Sequence, residues 1–168
     1  MERVFTRTVF LPPTSWKKYV QYQKTKQAEE LNDLTPLMKP PLHIVPIETD
    51  LHSIWFENDI VHSIAKADVD VTVQRLEQTF DLIKDKFPGK RVCWISDMTS
   101  ITAPGREARD YAAAEGVKFI KALALITNSV LSRTVAEIFL LVKKPSYPVR
   151  LFTNVEDAKS WLKTMTEI

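Results

Sequence analysis

Regular patterning of hydrophobic and polar residues begins near residue 42, and the pattern there is typical of β-strands. Residues 42–67 are rich in β-branched and aromatic side chains, and the polar tripeptide Glu57–Asp59 interrupts them. This pattern predicts two antiparallel strands joined by a tight turn. Because Pro46 has no backbone N–H to donate, we expect it at a sheet edge or at a bulge.

A helical period replaces the strand-like pattern after residue 70. Pro88 and Gly89 close this segment, and polar side chains fill one of its sides. Its apolar side chains recur every three or four residues: Val73, Leu76, Phe80, Ile83 and Phe87. This spacing predicts an amphipathic helix that ends at the Pro-Gly pair.

Three strand and helix pairs are predicted in the rest of the chain. The strands are KRVCWISDM, KALALITN and YPVRLFTN, which are mostly apolar, as strands inside a sheet are. The helices are predicted over 104–116, 129–144 and 154–165. Pro104 is expected in the first turn of the first, Asn128 or Ser129 as the cap of the second, and Asn154 as the cap of the third. The inner face of the third helix is predicted to carry Val155, Ala158, Leu162 and Met165.

Strands that alternate with helices imply parallel pairing through right-handed crossovers, opened here by an antiparallel hairpin. We therefore predict one α/β domain over residues 42–168, with a mixed sheet of about five strands and four helices. Residues 1–41 are predicted to form an N-terminal extension, with a candidate helix within 14–33 and a Pro-rich connector. We expect this extension to pack on the domain or on a neighbouring molecule.

Composition narrows the partners that can be expected. The 168 residues suffice for one sizeable core, and a net charge of +2 does not by itself predict binding to nucleic acid or to a membrane surface. No apolar run approaches the ~20 residues that span a bilayer, so stable membrane insertion is not expected. The single cysteine, Cys93, excludes an intramolecular disulfide and is consistent with a cytoplasmic protein. The three glycines lie far apart, which excludes a glycine-rich phosphate loop.

Asp97 is the most conspicuous candidate for a binding residue, because it ends a predicted parallel strand. Ligands of open α/β sheets gather beyond that edge. The candidate partner-binding rim is therefore Asp97, Ser100, Thr102, Arg106 and Arg109. In the local alternative, which we favour, Asp97 accepts hydrogen bonds from its own turn and Thr102 caps the following helix.

Catalytic and metal-binding patterns are not recognisable in the sequence. His43, His52 and His62 share no ligand spacing, and no cysteine lies near them. Cys93 lies between bulky residues in the middle of a strand, which favours a buried, inert thiol. An aspartate at a strand end suits a phosphoaspartate receiver only with an acidic pair on an earlier strand, which is missing. We expect no enzymatic activity, no metal and no cofactor.

The predicted helix over 129–144 is apolar on more than one side. Leu131 shares the face that would meet the sheet, whereas Leu140 and Leu141 point elsewhere. Each fully buried leucine contributes roughly 1.5–3 kcal/mol, so the extension, a second copy of the chain or another protein should cover them. These three residues form the candidate apolar interface, and we expect a homodimer.

Residues 122–162, ALALITNSVLSRTVAEIFLLVKKPSYPVRLFTNVEDAKSWL, resemble the SpoIIAA-like proteins of the STAS family, also grouped as STAS/SEC14. The resemblance covers roughly Leu42 to the C-terminus. It implies a sheet with helices mostly on one face and a non-catalytic protein–protein interaction module with a regulatory role. The SEC14 part of the group implies an alternative, a domain that binds a small apolar ligand or a lipid, although residues 42–168 are few for a full lipid-transfer pocket.

Regulatory members of that family carry a phosphorylatable serine at the helix start that follows a strand ending in Asp-Leu-Ser. Here Asp97 is followed by Met98 and Thr99, and TAPGREA replaces the family's Asp-Ser-Ser-Gly-like signature. Ser100 and Thr102 are the nearest hydroxyls. An enzyme with a site beyond Asp97 is a third interpretation, for which the sequence supplies neither base nor nucleophile.

Overall fold

A computed structural model of the protein describes residues 35–129, 133–134, 136–137, 140 and 145–166. The chain separates into two compact units, Met1–Asp33 and Leu34–Ile168, and all described residues belong to the second. The candidate helix within 14–33 lies outside the described residues.

One mixed sheet organises the second unit. Its strands lie side by side in chain order: β1 Ile47–Glu48, β2 His52–Glu57, β3 Ile60–Ala65, β4 Val92–Asp97, β5 Ile120–Ile126 and β6 Val149–Phe152. The pairs β1–β2 and β2–β3 are antiparallel, and the other three are parallel. The α/β class and the mixed sheet are thus as predicted, but there are six strands rather than about five. The additional strand is β1, in which Ile47 pairs with Ile54.

The turn between β2 and β3 has the geometry that the sequence predicted. Glu57 and Ile60 are paired, which leaves a loop of two residues. Asn58 and Asp59 have φ angles of 52° and 59°, as a type I′ turn requires. Asparagine and aspartate adopt this left-handed conformation more readily than other non-glycine residues, because their side chains can bond locally.

Three helices have described bounds: α1 Val73–Lys86, α2 Arg106–Phe119 and α3 Val155–Thr166. The Thr72 hydroxyl accepts a hydrogen bond from the N–H of Arg75 at the start of α1, and Asn154 Oδ1 accepts one from the N–H of Asp157 at the start of α3. The predicted inner face of α3 is confirmed, because Ala158 and Leu162 are fully buried and Val155 and Met165 pack beside them.

The predicted bounds of α2 were wrong at both ends. The N-cap is Gly105, which has no side chain to cap the helix. Pro104 therefore precedes the helix, and Thr102 does not cap it. The helix also continues through Gly116 to Phe119. Gly116 does not mark a helix end: a Cβ there would lie 2.5 Å from the hydroxyl oxygen of Tyr147. The glycine therefore serves close packing between α2 and a following segment.

Helices cover both faces of the sheet. On the first face, α1 and α2 bury an apolar cluster that includes Trp94 and Leu123. On the second face, α3 packs on a cluster that includes Cys93 and Ala122, together with Met38 from the segment before β1. Successive side chains of β4 and β5 point to opposite faces of the sheet, so the core consists of two layers, one on each face.

The predicted helix over 129–144 is described only in part. Its described residues from 133 to 140 are helical, and Ala136 is buried in the apolar cluster of the first face. With α1 and α2, this places most of the described helical chain on one face, as the resemblance implied. Of the candidate apolar interface, Leu131 and Leu141 lie outside the described residues, and Leu140 is helical and partly buried.

Candidate functional site

Asp97 is a buried anchor. Its side chain is only 1% exposed and lies on the second face of the sheet. Oδ2 accepts hydrogen bonds from the backbone N–H groups of Leu37 and Met38, at 2.5 and 2.8 Å, and Oδ1 accepts one from Thr99 at 3.0 Å. The bond to its own turn is the one that the local alternative predicted. The two bonds to residues sixty positions earlier were not predicted, because sequence patterning does not indicate which backbone N–H a buried carboxylate will bind.

The other four rim residues lie on the connection between β4 and α2, or on α2 itself. Ser100 and Thr102 are partly exposed, and Arg106 is exposed and 3.8 Å from a carboxylate oxygen of Asp110. Arg109 is half-buried, and its Nη1 donates a hydrogen bond to the carbonyl oxygen of Pro104 at 2.9 Å. Asp97 therefore differs from the other four, because only its side chain is fully buried.

An apolar cavity of about 120 Å³ lies between the first face of the sheet, α1 and α2. Its floor and sides are buried side chains such as Leu51, Phe80 and Ile120. Its partly exposed lining residues come mainly from the β4–α2 connection and α2: Met98, Ile101, Pro104, Arg109 and Ala112. The cavity thus opens beyond the carboxyl end of β4, where ligands of open α/β sheets bind.

A buried chain of hydrogen bonds ends in the lining of this cavity. Trp94 Nε1 donates to the Ser63 hydroxyl oxygen, and the Ser63 hydroxyl donates to Ser96 Oγ, each at 2.9 Å. The direction of the first bond is fixed because the indole N–H is only a donor. No acceptor takes the Ser96 hydroxyl proton in the part of the chain that the structure describes. Ser96 therefore contributes a hydrogen-bond donor to the mainly apolar lining.

His52 lines the same cavity as a neutral ring. Its Nδ1 lies 3.2 Å from the hydroxyl oxygen of Thr79, and its ring meets Trp94 edge-on with centroids 6.2 Å apart. Burial lowers the pKa of His52 to about 4, so the ring is uncharged at neutral pH. No hydrogen-bond partner engages Nε2 among the described residues.

The other two histidines lie away from this cavity. His62 stacks on Trp55 on the second face, with centroids 5.2 Å apart, and burial lowers its pKa to about 4. A polar groove of about 310 Å³ runs beside this pair and is lined by acidic and basic side chains. His43 is exposed. Over the described ranges, no three His, Cys, Asp or Glu side chains are grouped so that they could hold a metal ion.

Cys93 is buried, as predicted, with 2% of its surface exposed. Burial raises the pKa of its thiol, which keeps the sulfur protonated and poorly nucleophilic. Within the described residues, no helix combines the length and the apolar character needed to cross a membrane.

Comparisons with known proteins give a family and a distant structural likeness. The model of a family described as "Domain of unknown function (DUF7793)" matches residues 54–166, and no STAS family model matches. A crystal structure of an uncharacterized DUF3478-family protein with a SpoIIAA-like fold, from Shewanella loihica PV-4, is 18% identical, with a TM-score of 0.49. The match covers 69% of this chain and 98% of that one. No curated protein matches. The structural likeness is too distant to indicate what the chain does.

Proposed function

The chain belongs to the DUF7793 family, and from the geometry of its cavity we propose that it is a non-catalytic module that binds a small apolar ligand. One observation carries this proposal: a cavity of about 120 Å³ opens at the end of β4 and is lined almost wholly by apolar side chains. Pockets that combine an apolar lining with a few converging polar groups are typical ligand sites.

The volume limits the size of the ligand. A dry protein cavity of roughly 150 Å³, lined by Leu, Ile and Phe, holds benzene. A cavity of about 120 Å³ therefore suits a single small ring or a short branched chain, helped by the partly open end. It is too small for the acyl chain of a lipid. The STAS/SEC14 resemblance implied either a small apolar ligand or a lipid, and the volume favours the small apolar ligand.

The contacts of the cavity support binding without catalysis. A serine becomes a nucleophile when a neighbouring base accepts its proton. Ser96 accepts its hydrogen bond from Ser63, and the Nδ1 atom of His52 faces Thr79. No hydrogen bond joins Ser96 to His52 in the described part of the chain, so the two do not form a nucleophile–base pair.

Calorimetric titration of the full chain with toluene tests this function. Toluene should bind and raise the melting temperature, because a ligand that binds only the folded state stabilises it. Ala112 lines the cavity, so Ala112→Leu should fill the space and weaken toluene binding at least tenfold. Ala114 is exposed on the same helix, and Ala114→Leu is the matched control that should bind as the unchanged protein does. Absence of toluene binding, or equal loss in both variants, would contradict the proposal.

Protein–protein interaction, implied by the SpoIIAA-like resemblance, is a second candidate supported by a different observation. Leu42 and Val45 are at least 90% exposed and Ile47 is 43% exposed; Ile47 lies in the edge strand β1, and the other two come just before it in the chain. An exposed apolar sheet edge is a site where another strand can add. Residues 42–47 carry no acidic, lysine or arginine side chain, which favours a second copy of the chain over a charged partner.

Light scattering of variants tests this second candidate. Val45→Lys should shift the chain from dimer to monomer, because it places a charge in the apolar edge. Val117 is another exposed valine, on α2, and Val117→Lys should leave the dimer intact. A monomer at all concentrations before any substitution would remove self-association, including association through Leu131, Leu140 and Leu141. A reducing, cytoplasmic location remains part of the proposal and fits the unpaired thiol of Cys93.

A further inference from the structure

The charge in the cavity lining is unbalanced. Among the described lining residues, Arg109 carries the only formal charge, because His52 is neutral and no acidic side chain is present. The one hydrogen bond of the Arg109 guanidinium within the described residues goes from Nη1 to the carbonyl oxygen of Pro104. Within the described residues, no hydrogen bond engages its Nε or Nη2. By contrast, Arg106 on the same helix points to Asp110.

The second polar group at the end of β4 is also a donor. Ser96 accepts a hydrogen bond from the Ser63 hydroxyl, which itself accepts one from Trp94 Nε1. The hydroxyl of Ser96 is therefore left to donate to another acceptor. Such chains polarise their members and strengthen the final donor. A cation and a hydroxyl donor in one apolar lining call for an acceptor that carries negative charge.

We propose that the ligand of this cavity is a small carboxylic acid, with a one-ring or short branched apolar body inside the cavity and its carboxylate at the opening, held by Arg109. This inference rests on the proposed function and adds the chemical class of the ligand. Transfer of an isolated carboxylate into an apolar interior is costly. Placing it at the partly exposed opening keeps it hydrated on one side and lets the planar guanidinium bind both oxygens.

A monoanion fits better than a phosphate ester. One arginine balances one carboxylate charge, whereas a phosphate monoester carries about 1.5–2 negative charges at neutral pH and would need further cations. The described lining contains no lysine and no second arginine. Phenyl phosphate is therefore the probe that separates the two anions.

The test is a calorimetric comparison of benzoate, benzyl alcohol, toluene and phenyl phosphate on the full chain at pH 7. Benzoate should bind roughly tenfold to a hundredfold more tightly than benzyl alcohol, as a charged hydrogen-bond pair predicts. Arg109→Gln should reduce the preference for benzoate over benzyl alcohol to less than about twofold. Arg106→Gln removes the same charge from the same helix without touching the cavity, so it should keep the preference.

The outcomes separate the two levels of the proposal. If toluene and benzyl alcohol bind and benzoate binds no better, the carboxylate assignment fails and the apolar site stands. If none of the four binds, both fail. Equal loss of benzoate preference in the Arg106 and Arg109 variants would also overturn the role of Arg109, and tighter binding of phenyl phosphate would overturn the choice of anion. If Arg109→Gln does not fold, the comparison of the four ligands on the unchanged protein still tests whether the cavity prefers a carboxylate.

Discussion

At the scale of single residues, the buried polar side chains hold the molecule together by satisfying backbone groups and one another. Asp97 binds three backbone N–H groups, two of them in the segment before β1. The histidines behave differently, because burial keeps His52 and His62 neutral. Asp97 was a candidate binding residue in the sequence, and its three hydrogen bonds give it a structural role.

Replacing Asp97 with alanine should lower the free energy of unfolding by about 3 kcal/mol, because three backbone N–H groups, two of them in buried hydrogen bonds, lose a charged acceptor. Urea unfolding measures this loss. Hydrogen exchange should show faster exchange at the amides of Leu37 and Met38. Asp85 is exposed on α1, and Asp85→Ala should cost less than about 0.5 kcal/mol. Similar stability of both variants would refute the anchoring role.

His52 should make the protein less stable in mild acid. Its pKa is about 4 when folded and about 6.5 when unfolded, so between these values the unfolded state binds the extra proton and stability falls as pH falls. From pH 7.5 to pH 5 the loss should be about 2 kcal/mol for this residue. Urea unfolding at both pH values should show a smaller loss in His52→Gln. His43→Gln changes an exposed residue and should keep the original loss; equal losses in both would count against the prediction.

At the scale of elements, periodicity and capping residues were reliable where they acted together. The faces of α1 and α3, the Asn154 cap and the Glu57–Asp59 turn follow directly from local chemistry. The bounds of α2 were not predicted correctly, because Pro104 and Gly116 were interpreted as local start and stop signals of the helix. Gly116 instead leaves room for the side chain of Tyr147, which comes from another part of the chain. Tertiary contacts decided where local signals were ambiguous.

Gly116→Ala should destabilise the protein even though alanine favours helices. The helical preference would contribute up to about 1 kcal/mol in favour of alanine. The added Cβ would lie 2.5 Å from the Tyr147 hydroxyl oxygen and 3.1 Å from Ile120 Cδ1, and such overpacking costs about 1–3 kcal/mol. We expect a net loss of about 1 kcal/mol in urea unfolding.

Gly105→Ala is the control for this change, because nothing lies within 4 Å of the position of a Cβ at Gly105. Its stability should change by less than about 0.5 kcal/mol, because the smaller unfolded-state entropy of alanine offsets its weaker N-capping at a φ of -64°. Stabilisation by Gly116→Ala would show that Tyr147 does not pack closely on α2.

At the scale of the whole molecule, the order of elements was predictable and the cavity was not. Alternating strand and helix patterns indicate a parallel sheet, and its carboxyl-end rim follows from that topology. A cavity, however, is volume left over after many side chains pack, and no residue pattern encodes it. The sequence identified Arg109 through its position after β4. Ser96 was missed, although a polar residue beside Asp97 on an otherwise apolar strand was a usable signal.

Methyl NMR during a toluene titration tests the central claim, ligand binding on the first face of the sheet, most directly. Ile120, Leu123 and Leu125 line the cavity, whereas Ile95 and Ile126 are buried on the second face. We predict intermolecular nuclear Overhauser effects from toluene to the first three methyl-bearing residues and none to the other two. Effects at Ile95 and Ile126, or at none of the five, would contradict the account.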